Sequence, residues 1–199
     1  MSTHTYHALP FRELPVGASY SRPKFEMPER LASDDQAVQA MTDLRRITAL
    51  TVERSNTLLA TRERMKKLGV RMLLVTNSTG AVMGVVTLTD LDSDRPRRIA
   101  EKTGERADDL QVQDIMTLRG RIEVLNLVDV ETARVGDILA TLLSKRRRHA
   151  LVCCTPASTG DDEVCGVFSL SQTCKRVGLN VQPGDDFELI ENELRQVLA

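Results

Sequence analysis

Two heptapeptides carry the residues best suited to chemistry. Gly84-Val85-Val86-Thr87-Leu88-Thr89-Asp90 and Gly166-Val167-Phe168-Ser169-Leu170-Ser171-Gln172 are altered copies of one pattern. Each opens on a glycine and two apolar residues of strand type, then gives a hydroxyl, a leucine, a second hydroxyl and a polar residue. Hydroxyls two apart at the end of a strand point the same way. A carboxylate just beyond them, Asp90, can accept both hydrogen bonds of a cis-diol. Hydroxyls and free amides at a following helix N-terminus suit phosphate oxygens. The pattern predicts a small site for a sugar phosphate or nucleotide. A single copy would favour a simpler reading, in which Thr89 or Asp90 caps the first helical turn. The repetition shifts the weight toward a site.

A basic run, Lys145 to Arg148, precedes His149. Cations at a helix C-terminus satisfy carbonyls and the helix dipole, which accounts for most of the run. His149 alone carries little. No Ser–His–Asp set, metal-spaced cluster or Walker loop accompanies it, so no catalytic machinery is expected. Cys153, Cys154, Cys165 and Cys174 form no C-x-x-C pair. Reduced, partly buried thiols are the expectation, with zinc the weaker alternative, and Cys153 and Cys154 should face opposite sides of a strand.

The composition narrows the partners. The 199 residues carry a net charge of -1, which gives no bulk attraction to nucleic acid or membranes. Aromatic residues make up 3%, with no Trp, too few for a base-stacking platform. No apolar run approaches the roughly 20 residues of a membrane span. Met1 to Pro10 lacks a signal-peptide core. The expectation is a cytoplasmic protein without nucleic-acid or membrane partners.

The elements that must position these residues follow in order. Residues 1–35 read as an irregular arm with prolines at 10, 15, 23 and 28, partly docked through Leu9, Phe11, Leu14, Val16 and Phe25. Ser33 or Asp34 offers an N-cap for a short helix carrying Ala37, Val38 and Met41. Ile47, Leu50 and Val52 suggest a short strand. Thr57 caps a helix from Leu58 to Leu68 that Gly69 stops. Arg71 to Val75 and Ala81 to Thr87 form a hairpin around Asn77-Ser78-Thr79-Gly80, and a helix starts near Thr89. Pro96 sits in the first turn of another helix, capped by Asp94 and ended by Gly104. The second unit repeats this order. Val124 to Val130 is strand-like, and Val135, Ile138, Leu139, Leu142 and Leu143 define an amphipathic helix. Ala150 to Cys154 and Val164 to Ser169 form the second hairpin, followed by a helix to about Val177. A last helix, Phe187 to Leu198, carries the stripe Phe187, Ile190, Leu194 and Val197.

The two units superpose. Leu58 matches Val135, Met65 matches Leu142 and Val75 matches Val152, all 77 residues apart. Val38-Gln39-Ala40-Met41-Thr42 echoes Val112-Gln113-Asp114-Ile115-Met116-Thr117. A strand–helix–strand–strand–helix duplication explains this. Each half alone has a poor surface-to-core ratio, so the halves should pack together.

In order and duplication the chain resembles a tandem pair of CBS domains over about residues 38 to 180. The resemblance rests on Val112 to Thr117, on Gly69 to Val75, on Arg147 to Val152, and on the two heptapeptides. It implies an α/β (α+β) fold of two CBS repeats, at 36–108 and 109–182, each a small mixed sheet with helices. The repeats pack with pseudo-twofold symmetry, residues 183–199 forming the terminal helix. It further implies clefts between the repeats that bind AMP, ADP, ATP or S-adenosylmethionine as a regulatory ligand. Asp90 would hold the ribose diol beside Thr87 and Thr89. Arg71 would reach phosphate, with Arg148 in the matching place of the second unit beside His149. Ser169 and Ser171 are the second pair of hydroxyls. Gln172 stands where the second aspartate would, so one competent and one degenerate site are expected. The functional expectation is a stand-alone ligand sensor that forms a homodimer and passes its signal to an effector protein. A ligand-free interaction module is the alternative.

Overall fold

The computed structural model describes residues 30–158, 160–182 and 184–197, with side chains described as far as Arg195. The arm residues Leu9, Phe11, Leu14, Val16 and Phe25 lie outside the described residues, as do Leu198 and the side chain of Val197.

Two four-stranded mixed sheets carry the fold. One orders β2 (Thr51–Glu53), β3 (Met72–Thr76), β4 (Val82–Thr87) and β5 (Thr117–Leu118). The other orders β6 (Val124–Asn126), β7 (His149–Cys154), β8 (Glu163–Ser169) and β1 (Thr42–Asp43). In each, the first pair is parallel and the next two are antiparallel. Even the irregularities correspond: the hairpin register shifts at Val75/Thr76 in one sheet and at Val152/Cys153 in the other.

The edge strands are exchanged. β1, from the start of the first unit, pairs with β8 of the second unit, and β5, from the start of the second, pairs with β4 of the first. The cores follow the same exchange. Val52, Leu58, Met65, Leu73, Val75 and Val86 are completed by Leu110, Val112, Ile115 and Met116. Val135, Ile138, Leu139, Leu142, Val152 and Phe168 are completed by Leu31, Ala37, Ala40 and Met41. Each buried Val, Leu or Ile stabilises by about 1.5–3 kcal/mol, so each unit holds a segment of the other at substantial energy.

The exchange explains why both heptapeptides open on glycine. A Cβ at Gly84 would run into the Thr117 backbone carbonyl, and one at Gly166 into the Met41 side chain. A strand crosses close over each glycine, which is where a missing side chain is needed.

The helices are α1 (Leu58–Leu68), α2 (Leu88–Asp92), α3 (Asp94–Thr103), α4 (Val112–Ile115), α5 (Leu127–Thr132), α6 (Val135–Ser144), α7 (Leu170–Arg176) and α8 (Phe187–Val197). Thr57 caps α1, its side chain accepting from the Ala60 amide at 3.2 Å, and Gly69 ends it at φ 66°. Four expectations change. Val124 to Val130 is not one strand: after Asn126 the chain turns into α5, which buries Val130. In the first unit only Val52 of the predicted strand residues lies in β2; Ile47 and Leu50 lie before it. The cap of α3 is Ser93, not Asp94, its hydroxyl accepting from the Arg95 amide at 3.3 Å. The short helix is a single tight turn, Ala37–Gln39, entered from Gln36 rather than capped by Ser33 or Asp34.

The stripe of α8 is buried inside the chain. Ile190 and Leu194 are 1% exposed and join the second unit's core beside Cys174, with Phe187 packed against it. That burial accounts for the stripe without a second copy of the chain. Cys165 and Cys174 are buried thiols, and burial pushes Cys174 up to about 11. Cys154 packs against the second core while Cys153 faces a cavity between the two hairpins, so the neighbours point opposite ways.

Candidate functional site

Among the cavities lined by both units, two hold the paired hydroxyls of a heptapeptide. The first, about 480 Å³, places Thr87, Thr89 and Asp90 of the first unit opposite Lys145, Arg146, Arg147, Arg148 and His149 of the second. Met72, Val85, Leu125 and Phe187 give it apolar walls. The second, about 390 Å³, places Ser169, Ser171 and Gln172 opposite Gly69, Val70 and Arg71. His149 and Met72, which occupy equivalent positions 77 residues apart, line both.

The structure therefore divides the residues the sequence had grouped. Thr87, Thr89, Asp90 and Arg148 share the first cleft. Arg71, Ser169 and Ser171 share the second, His149 lines both, and a smaller cavity of about 200 Å³ brings Arg71 and Ser171 together with Thr89 and Arg148. Arg71 does not face Asp90; Arg148 does, because each cleft joins the motif of one unit to the helix end of the other.

Local sequence explains the geometry at Asp90. β4 ends at Thr87, whose side chain accepts from the Asp90 amide at 3.2 Å. The Asp90 carboxylate answers, Oδ2 accepting from the Thr87 amide at 2.8 Å and from its hydroxyl at 2.6 Å. This reciprocal capping box fixes the carboxylate at the cleft wall. The cap is Thr87 with Asp90, not Thr89. Both bonds fall on Oδ2, and among the described residues Oδ1 has no hydrogen bond. In the second unit the box is missing: Gln172 is exposed, and Ser169 and Ser171 instead bond each other through their hydroxyls at 3.3 Å.

The cations of the first cleft divide in turn. Lys145 and Arg147 pair with Glu123 at 3.4 and 3.6 Å, and Arg146 pairs with Glu188 at 3.6 Å. Arg148 meets neutral groups. It donates through Nη2 to the Asp185 carbonyl, and its guanidinium lies 4.9 Å from the centre of the Phe187 ring. Arg71 donates to the Ser171 hydroxyl at 3.4 Å. Burial, then the charges of Arg71 and Arg148, push His149 down to about 4. It is neutral near pH 7 and can act there as a donor and an acceptor.

Sequence reasoning missed Phe187, Glu123 and the conformation of Arg146. Arg146 has φ 48°, the left-handed region that Gly69 occupies at the equivalent helix end. The 77-residue offset held that signal, since it sets Arg146 on Gly69 and Arg147 on Val70. Phe187 lies beyond the duplication, which gave it no counterpart.

Among the described residues, no group of three His, Cys, Asp or Glu could hold a metal ion, and no helix is long and apolar enough to cross a membrane.

Residues 36–93 match the family model described as CBS domain. The match spans the first unit's sheet strands β2 to β4 and the exchanged strand β1. No curated protein matches the chain in sequence. Among solved structures, an uncharacterized conserved protein from Pyrococcus horikoshii is similar at 21% identity and a TM-score of 0.52, over 77% of this chain and 100% of that one. Protein MJ1225 from Methanocaldococcus jannaschii is similar at 18% identity and a TM-score of 0.50, over 67% of this chain and 49% of that one. CBSX2, a CBS-pair protein from Arabidopsis thaliana solved in complex with AMP, aligns at 20% identity and a TM-score of 0.49, over 70% of this chain and 93% of that one. The family model thus matches the first unit as a CBS domain, and the second unit rebuilds the same order of elements.

Proposed function

We propose that the chain is a regulatory module that binds a phosphorylated adenosine ligand in the first cleft. One observation carries the reading: Asp90 of the first unit and Arg148 of the second, which pairs with no carboxylate among the described residues, line one cavity together with apolar side chains. Oδ1 of Asp90 accepts from a ribose hydroxyl while Oδ2 keeps the helix cap. Arg148, with Lys145 to Arg147 behind it, takes the phosphate through charge-assisted bonds. The adenine rests on the apolar lining of Met72 and Val85. Because the two walls come from different units, a bound ligand ties the units together. That is how binding becomes a signal to a partner, whether a second copy or an effector protein. The role in this reading is regulation rather than catalysis.

Calorimetry with AMP, ADP, ATP and S-adenosylmethionine tests this. Saturable binding of at least one phosphorylated ligand, weakened as salt rises, is expected. S-adenosylmethionine has no phosphate and should bind less well. No saturable binding of any of the four would favour the ligand-free interaction module, a reading that the capping role of Asp90 already supplies with a structural purpose. Sedimentation with and without ligand measures the association.

A further inference from the structure

We infer that the start of α8 is a positioning device for the phosphate-binding arginine, with Phe187 as its working residue. The inference rests on the proposed binding of a phosphorylated adenosine ligand in the first cleft, and deepens it.

The argument begins with charge. Of the four cations at that cleft, three face a carboxylate, from Glu123 or Glu188. Arg148 instead touches the Asp185 carbonyl and the Phe187 ring. A carbonyl and an aromatic face hold a guanidinium without cancelling its charge. The carbonyl fixes one edge of the planar fork, and the ring fixes its plane. The remaining N–H groups stay free to meet a planar or tetrahedral oxyanion two at a time. An arginine frozen in this way loses less rotamer freedom when it binds, so more of the contact appears as affinity.

The rigidity comes from the fold. Asp185 sits in a turn that its own carboxylate closes, Oδ2 accepting from the Gln182 amide at 2.6 Å. Phe187 packs on the second unit's core, and α8 is anchored further along by Ile190 and Leu194. Arg71, the equivalent arginine, has no such support. Its bond to Ser171 is 3.4 Å long, and no aromatic ring stacks on it among the described residues. The duplicated domains thus supply two arginines, and a segment outside the duplication prepares one of them.

The test is to titrate AMP and adenosine into the full chain and into Phe187→Leu and Phe187→Tyr. Leucine keeps an apolar group on the core and removes the ring face; tyrosine restores the face. AMP binding should weaken by about three- to tenfold in Phe187→Leu, the range for ordering one long side chain on binding. It should recover in Phe187→Tyr, and adenosine binding should weaken less than AMP binding in Phe187→Leu. Equal losses for AMP and adenosine would reduce Phe187 to a cleft wall and overturn the inference. Tighter AMP binding in Phe187→Leu would make the contact a competitor of phosphate, and overturn it too. Unchanged AMP binding in that variant would refute the positioning role while leaving the proposed function standing. Absence of AMP, ADP and ATP binding to the unaltered chain would overturn both.

Discussion

The two clefts share a backbone and differ in chemistry. Thr87, Thr89 and Asp90 in one stand where Ser169, Ser171 and Gln172 stand in the other. Arg146, Arg147 and Glu123 answer Gly69, Val70 and Leu50. The positions that the exchanged strands require have stayed alike: both glycines, both hairpin irregularities and the apolar residues under them. The positions that face the clefts have diverged. Duplication preserved what holds the units together and left the cleft-facing surface free to change. The charge in the first cleft makes the halves chemically unequal.

The largest contrast concerns the glycines, which look equivalent and are not. The neighbour of Gly84 is a backbone carbonyl, which cannot rotate away, so Gly84→Ala must displace β5 and disturb Met116 and Ile115 behind it. The neighbour of Gly166 is the end of Met41, a flexible side chain that can repack. Overpacking costs about 1–3 kcal/mol; Gly84→Ala should lie at or above the top of that range and Gly166→Ala near the bottom. Urea unfolding of both variants measures this. Equal losses would mean that the strand exchange does not depend on the first glycine.

Next in size is the pair Asp90 and Gln172. A buried bond to a charged group is worth about 1.5–3 kcal/mol, so Asp90→Ala should weaken AMP binding by at least about tenfold. Gln172→Ala should change it little. Asp90→Ala also removes half of a capping box and should cost about 0.5–2 kcal/mol of stability, so affinities are compared at full folding. Asp90→Asn separates the roles, because the amide oxygen can still accept from the Thr87 amide but carries no charge. Unchanged affinity in Asp90→Asn would leave the carboxylate only its structural task. Gln172→Asp asks the reverse question. If the missing carboxylate is what disables the second cleft, calorimetric stoichiometry should rise from one site toward two.

Between the clefts, His149 gives the comparison a pH dependence. Its position in the first unit holds Met72, which does not titrate. Burial beside Arg71 and Arg148 lowers the imidazole to about 4, against about 6.5 in an unfolded chain. The unfolded state therefore binds the extra proton between those values. The histidine's contribution is complete above pH 6.5 and falls away as the pH drops toward 4, by on the order of 2–3 kcal/mol. His149→Met makes the two units alike and should flatten this part of the stability profile. Denaturation midpoints at pH 7 and pH 5 for both proteins test it; parallel profiles would place the dependence on other groups.

The fold was largely legible because its signals repeat. Leu58 and Met65 of α1 recur as Val135 and Leu142 of α6, and the two heptapeptides recur at the ends of β4 and β8. The errors cluster where one copy departs from the other. Leu127 to Val130 looks like a strand by composition, yet pairing with β7 ends at Asn126 and the chain turns into α5, which buries Val130. The site was half legible. Asp90 stood out by residue type and Arg148 by the resemblance, but which arginine shares a cleft with Asp90 depends on the crossing of the units. That is a tertiary fact with no local signal. Phe187 sat in a helix whose apolar stripe already had an adequate explanation in packing.

Arg146 offers the smallest effect and the sharpest separation of fold from function. It adopts φ 48°, whereas Gly69 ends the equivalent helix α1 at φ 66°. The left-handed region costs an ordinary residue about 1–2 kcal/mol, while glycine loses more backbone freedom on folding, which offsets up to about 1 kcal/mol of the gain. Arg146→Gly should therefore stabilise the chain by about 0.5–1 kcal/mol. Its exposed pair with Glu188 takes little from that, since such contacts are screened. The same substitution removes a cation from the mouth of the first cleft. AMP binding should weaken by about two- to fivefold at low salt and by less at high salt, where the Debye length shortens. A variant that gains stability and loses affinity would show that strain is tolerated here because the charge is used. A gain in stability with unchanged AMP binding at both salt concentrations would leave Arg146 a surface residue in an unfavourable conformation, and would confine the phosphate chemistry of the cleft to Arg148 and its neighbours.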